Sequence, residues 1–225
     1  RAGGKDWWKK AVVGDGAGFA DEPFVKALTV IKMLSDANMF SPGVNQAEYE
    51  RAVQDFSNQK AVYYIDGAWK TDELQLTLTD ELKDYLQMHP FPDIGNEKSE
   101  PGLSSAAPGT GFGMNSKLEG EKAEAAWKWI WFYSGPEGSK MKTEMGMFTA
   151  YKIPPSEDTD LVVRKVINYI SGHPMGPVID NVLDGEGIEE ILQQDIQKMM
   201  FGEITPKEAA QRYENWVAAN DSNRE

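Results

Sequence analysis

The chain of 225 residues has no cysteine and only two histidines, His89 and His173. The first absence removes disulfides, thiolate metal sites and cysteine nucleophiles together. The second leaves little material for general bases or zinc ligands, and neither histidine sits in a nucleophile-elbow or zinc-binding pattern. No run of about 18 apolar residues occurs, so no membrane-spanning helix is expected. Positive charge is scarce as well: 23 Lys and Arg face 36 Asp and Glu, a net charge of −13. Such a surface repels phosphate backbones and anionic lipid heads, which argues against nucleic acid as a partner. The opening "RAGGKDWWKKAVVGDG" has no Met and no apolar stretch of a signal peptide. It begins inside what reads as a loop, so the chain reads as a mature fragment or a truncated piece.

What is present is enough to fold. With 40% hydrophobic and 11% aromatic residues, the chain can bury a core for one large or two small domains. Asp21 is placed as a helix N-cap, with Glu22 and Pro23 in the first turn and Phe24, Leu28, Ile31 and Leu34 at helical spacing. A second helix is expected over 46–57, with Tyr49, Val53 and Phe56 on one face. "KAVYYI" (60–65) is short, β-branched and aromatic, and stops at Asp66-Gly67, which predicts a buried strand. One helix is expected over about 72–86, and "HPFP" reads as strand-like. Residues 120–146 carry two helices split at Gly135-Pro136, and further helices are expected near 160–171, 188–200 and 206–219. Thr205, Pro206 and Glu208 stand in capping-box order. Helices thus dominate, with three or four strands between them: an α/β composition without regular strand–helix alternation.

Enzymatic signatures are weak. "GTGFGM" (109–114) is glycine-rich, but its spacing is not G-x-G-x-x-G and no P-loop Lys-Ser/Thr follows. The plainer reading is a backbone crossing close to another segment. Carboxylates near Trp69 (Asp66, Asp72, Glu73) and in "DGEGIEE" (Asp184, Glu186, Glu189, Glu190) could supply the pair a glycosidase needs, but a solvated face or a helix N-terminal charge is the simpler reading of each.

The tryptophans divide. Trp127, Trp129 and Trp131 alternate by two within a helical segment and point around its circumference, which predicts a helix sandwiched in a core. Trp216, with Tyr213 and Val217, forms a packing stripe. Trp69 lies just past a strand end, where it either caps the core or waits at a cleft for a ligand. Trp7 and Trp8 flank a glycine-rich loop and either pack beneath it or contribute to a cleft.

Four stretches, in order, are similar to family 1 extracellular solute-binding proteins of ABC importers, the group that includes maltose-binding protein. They are "FVKALTVIKMLSDANMF", "FSNQKAVYYIDGAWK", "GTGFGMNSK" with "EAAWKWIWFYSGPEGSKMKTEMGMFTAYK", and "FGEITPKEAAQRYENWV". The resemblance spans nearly the whole chain. It implies an α/β fold of the periplasmic-binding-protein-like (type II) two-lobe kind, here mainly the C-terminal lobe, with many helices around a small mixed sheet. Residues 1–106 and 154–225 would form that lobe. Residues 107–153 would be an excursion into the N-terminal lobe, with hinge crossings near 106–111 and 148–154. The signal, any anchor cysteine and most of the N-terminal lobe would lie outside this chain, and the location would be extracytoplasmic. The implied partners are a small solute, foremost a mono- or oligosaccharide, and the permease subunits of the transporter; no cofactor or metal is implied. If that lobe is absent, the 107–153 helices would expose apolar surface and self-associate.

The same resemblance implies ligand contacts after the "KAVYYI" strand, at the hinge glycines and at the start of the 188–200 helix. Carried onto this sequence, these are Trp69, Asp66, Gly67, Gly109, Thr110 and Glu189, with Trp8 as a lesser candidate. Glu189 stands where the family places an aromatic, so stacking there is not expected. Trp69 suits a saccharide because sugars present apolar C–H faces beside hydroxyls, and Asp66 beside it accepts hydroxyl hydrogens. The alternative is a carbohydrate-active enzyme using paired carboxylates such as Asp66 and Glu189.

Overall fold

A computed structural model describes residues 2–92, 95, 98, 102–105, 111–176 and 187–220. In chain order the helices are α1 Gly4–Val13, α2 Glu22–Asp36, α3 Tyr49–Ser57, α4 Thr71–Thr77 and α5 Asp80–Tyr85. They continue with α6 Gly120–Ser134, α7 Pro136–Glu144, α8 Leu161–Gly172, α9 Gln194–Phe201 and α10 Pro206–Asn220. A π-helical stretch, Ile188–Gln193, leads directly into α9. Two strands of two residues each, β1 Ser104–Ser105 and β2 Met175–Gly176, pair in parallel, Ser104 opposite Met175.

The expected α/β fold with a small mixed sheet is therefore corrected. The protein is mainly helical, and among the described residues β1–β2 is the only ladder. The "KAVYYI" run is neither a ladder strand nor buried: Val62, Tyr63 and Ile65 are 84%, 75% and 70% exposed. β-branched and aromatic residues favour extended backbone, but a sheet needs a neighbour whose N–H and C=O groups answer those of the strand. "HPFP" likewise forms no strand. The single helix expected over 72–86 is two, because Leu78 turns extended and Thr79 restarts the helix by accepting the Leu82 N–H at 3.3 Å.

The chain divides into two compact units. The first comprises Arg1–Ala47, Pro90–Ala107 and His173–Glu225. Its core gathers Phe19, Leu28, Met199, Ala209, Ala210, Tyr213 and Val217. Phe19 meets Phe24 and Tyr213 edge-on at 5.2 and 5.3 Å, while Phe24 stacks on Tyr213 at 5.7 Å. Asp21 does precede α2 with extended backbone, but its carboxylate accepts from the Gly18 N–H and the Trp7 indole rather than capping the helix. Asp195, buried on α9, is balanced by Arg212 at 2.5 Å and Lys198 at 3.2 Å, as a buried carboxylate must be. Trp216 packs with Tyr213 and Val217, as their spacing on α10 predicts.

The second unit comprises Glu48–His89 and Pro108–Gly172. Its core is Val53, Leu74, Leu78, Leu86 and Val162, with Phe56 and Tyr64 against it. Lys165 Nζ on α8 donates to the carbonyls of Lys83, Asp84 and Leu86 at 2.7, 2.8 and 2.8 Å, closing the C-terminal end of α5. Gly135-Pro136 breaks α6 from α7 as predicted. The core reading of Trp127, Trp129 and Trp131 is overturned, however: they are 57%, 52% and 59% exposed. Their spacing did spread them around α6, but that helix is covered on too few sides to bury them.

Candidate functional site

The feature that stands apart in the second unit is the aromatic and acidic cluster that closes the chain's first third. Of the "KAVYYI" run only Tyr64 turns toward the core, where its ring stacks on Phe56 at 5.7 Å; Val62, Tyr63 and Ile65 face outward. The run ends at Gly67, and Ala68–Lys70 form a single 3-10 turn closed by Lys70 N–H donating to Gly67 O at 3.1 Å. Thr71 Oγ1 donates to Ala68 O at 2.8 Å, joining that turn to α4.

This turn presents Trp69 outward, 68% exposed. Its ring lies over Gly67: a Cβ at that position would come within 2.2 Å of the indole. Its Nε1 donates to the Tyr49 hydroxyl at 2.7 Å. Tyr49 donates in turn to Asp66 Oδ1 at 2.9 Å, and Gly67 N–H reaches the same oxygen at 2.7 Å. Tyr64 supplies a third donor, to Asp66 Oδ2 at 2.5 Å. Lys70, buried at the base, sits 4.3 Å above the Tyr49 ring and bonds Glu73 at 2.7 Å, with Glu50 at 3.9 Å. A relay therefore fixes the indole: Trp69 to Tyr49, Tyr49 to Asp66, with Lys70 beneath.

Proton affinities follow from these contacts. Burial first, and the Asp66 carboxylate second, push the Tyr64 phenol far above the ordinary tyrosine value. Tyr49 is also raised, chiefly by burial; the bond from Trp69 works the other way, while the bond to Asp66 and its charge add to the rise. The bond to Glu73 raises Lys70 despite burial, which opposes it. Both phenols stay protonated at neutral pH and remain donors to Asp66.

Of the residues expected to contact ligand, Asp66, Gly67 and Trp69 thus form one hydrogen-bonded group. Trp8 belongs to the first unit, half-buried and edge-on to Phe19 at 6.1 Å. Glu189 falls in the π-helical stretch Ile188–Gln193. Gly109 and Thr110 lie outside the described residues, as do Asp184 and Glu186. Sequence reasoning missed Tyr49, Tyr64 and Lys70. Their spacing places Tyr49 on the packing face of its helix and Tyr64 in a strand. The available signal was the pairing of a phenol in each segment with the one acidic residue ending the run. Among the described residues no group of His, Asp or Glu is arranged to hold a metal ion, and no helix is long and apolar enough to cross a membrane.

No family model matches the chain, and no curated protein matches it. Solved structures do. One is a chitin oligosaccharide binding protein, 20% identical, with a TM-score of 0.80 over 99% of this chain and 54% of that one. Another was solved in work on xylan utilization by the thermophilic bacterium Caldanaerobius polysaccharolyticus, 19% identical, with a TM-score of 0.76 over 95% of this chain and 54% of that one. The chain thus spans about half the length of the solved structures it matches, and it shares its fold with that half.

Proposed function

We propose that the protein binds a saccharide non-covalently and serves as the substrate-binding component of an ABC importer, delivering the solute to permease subunits outside the cytoplasm. The observation that carries saccharide binding is the Trp69 indole: exposed, held over Gly67 and tethered through Nε1. An aromatic face fixed before the ligand arrives offers C–H stacking without the entropy cost of ordering a loose side chain. The Asp66 carboxylate beside it supplies acceptor capacity for a sugar hydroxyl. The chitin oligosaccharide and xylan contexts of the matched structures support the ligand class. The transporter role rests on the four sequence stretches that resemble solute-binding proteins.

Titration calorimetry with chito- and xylo-oligosaccharides tests this reading. Binding with intact sugar recovered afterwards is the expected result, and Trp69→Ala should weaken it by about 2 kcal/mol, roughly thirtyfold, as truncation of a central aromatic anchor does. Full affinity in Trp69→Ala would remove the platform from the reading. Release of shortened products would replace binding by hydrolysis.

A further inference from the structure

The groups around Trp69 differ in what they leave for a ligand, and that difference narrows the ligand class. This step rests on the saccharide reading above. The indole N–H is already donated to Tyr49, so Trp69 offers only its ring face. Tyr49 and Tyr64 point their hydroxyl hydrogens at Asp66, as does the Gly67 N–H. A carboxylate has about four acceptor positions, and three donors reach this one, leaving one for a hydroxyl hydrogen from outside. One neighbouring cation, Lys70, is buried, lies over the Tyr49 ring and is bonded to Glu73. Arg51, on the same helix as Tyr49, pairs with Asp55 at 3.3 Å. A ligand at Trp69 therefore meets a π face, whose quadrupole is negative, and the Asp66 carboxylate, while Glu50 and Glu73 lie against Lys70 at the base of the cluster. It meets no cation that is not already engaged, among the described residues named here.

We infer that the Trp69 site selects uncharged saccharides and rejects those bearing a uronic acid next to the stacked ring. A neutral pyranose brings hydroxyl donors and C–H faces, which this surface accepts. A uronate brings a further anion beside the Asp66 carboxylate, and Lys70 and Arg51, the cations described near it, are already engaged by Glu73 and Asp55. Because the site is exposed, the repulsion is screened by salt, so the discrimination should shrink as ionic strength rises.

The test uses three forms of one xylo-oligosaccharide: unsubstituted, carrying a glucuronic acid branch, and carrying the methyl ester of that branch. The ester keeps the bulk of the acid and removes its charge. Expected at about 20 mM salt is binding of the unsubstituted and ester forms, with the acid at least tenfold weaker than the ester, and a narrower gap at about 0.5 M. In Glu50→Gln the acid-to-ester gap should also narrow. Equal or tighter binding of the acid than of its ester overturns charge selection while leaving saccharide binding intact. Failure of all three, and of chito-oligosaccharides, overturns the saccharide reading and this inference with it.

Discussion

Gly67 shows how one missing side chain sets a binding surface. Its backbone is extended, φ −99° and ψ 170°, a conformation open to any residue, so glycine is not required there by the backbone. It is required by the indole, which lies where a Cβ would be. Gly67→Ala must therefore displace Trp69 and break its bond to Tyr49, while the buried contacts of the second unit remain. The expected outcome is oligosaccharide affinity reduced about tenfold, a red-shifted tryptophan emission and a melting temperature close to that of the parent; unchanged affinity would show that the ring position does not matter. Tyr64 gives a second residue-level prediction. Its folded phenol is raised above the ordinary 10.0, so above that pH the unfolded chain releases this proton while the folded one keeps it. The folded state then binds more protons than the unfolded one, and stability falls as pH rises through and beyond 10.0. In Tyr64→Phe, denaturant midpoints measured between pH 9 and 11 should fall less steeply than in the parent.

At the scale of the element, α10 is the clearest case of local sequence writing local structure. Thr205 N–H and Oγ1 both donate to Glu208 Oε2 at 2.7 Å, and Glu208 N–H returns to Thr205 Oγ1 at 3.2 Å. The capping box was legible because all its partners lie within four residues. The bonds from the Thr205 backbone and then its side chain hold Glu208 below the ordinary value of 4.5. That contribution is present above pH 4.5 and is lost as pH falls through the lower folded value. Thr205→Ala should cost about 1 kcal/mol, roughly 2–4 °C in melting temperature for a chain of this size. Its deficit relative to the parent should shrink below pH 4; an equal deficit at acid and neutral pH would separate the cap from the carboxylate. The 61–67 run is the opposite case. Its β-branched and aromatic residues predict a buried strand, but it forms none, and only Tyr64 turns toward the core. Burial was misjudged because it depends on a neighbouring strand, which no local pattern reveals.

At the scale of the whole molecule, α6 is the feature the rest of the chain leaves open. Trp127 and Trp131 stack at 6.3 Å on one side, while Trp129 stacks on Tyr133 at 5.1 Å with Phe112 edge-on at 5.2 Å on the other. An open groove of 200 Å³ runs between that second side and residues 112–118. The N-terminal part of α6 is charged, with Glu121, Lys122, Glu124 and Lys128, but exposed aromatic surface like that of its C-terminal part drives association. The net charge of −13 opposes it, but residues 129–134 of α6 carry no charge. Light scattering should accordingly show mass above 25.1 kDa as concentration rises, reverting in a Trp127→Glu, Trp131→Glu double variant. A parent that stays monomeric across that range would refute it.

The sequence by itself determined most of the helices, α2, α8 and α10 among them, and the breaks at Gly135-Pro136 and Thr205-Pro206, but neither α1, which reads as a loop, nor the division of α4 from α5. What it determined depends on interactions within a few residues: caps, proline geometry and the period of the apolar face. Only the tertiary structure decided that no mixed sheet forms among the described residues, that α6 is exposed, and that Tyr49, Tyr64 and Lys70 belong with Trp69. Those outcomes depend on which distant segments meet, and a phenol on a helix reaches a carboxylate 17 residues away only once both are packed on the same core. The chain alone leaves Trp69 either capping the core or facing outward; packing decides both its exposure and what holds the indole still.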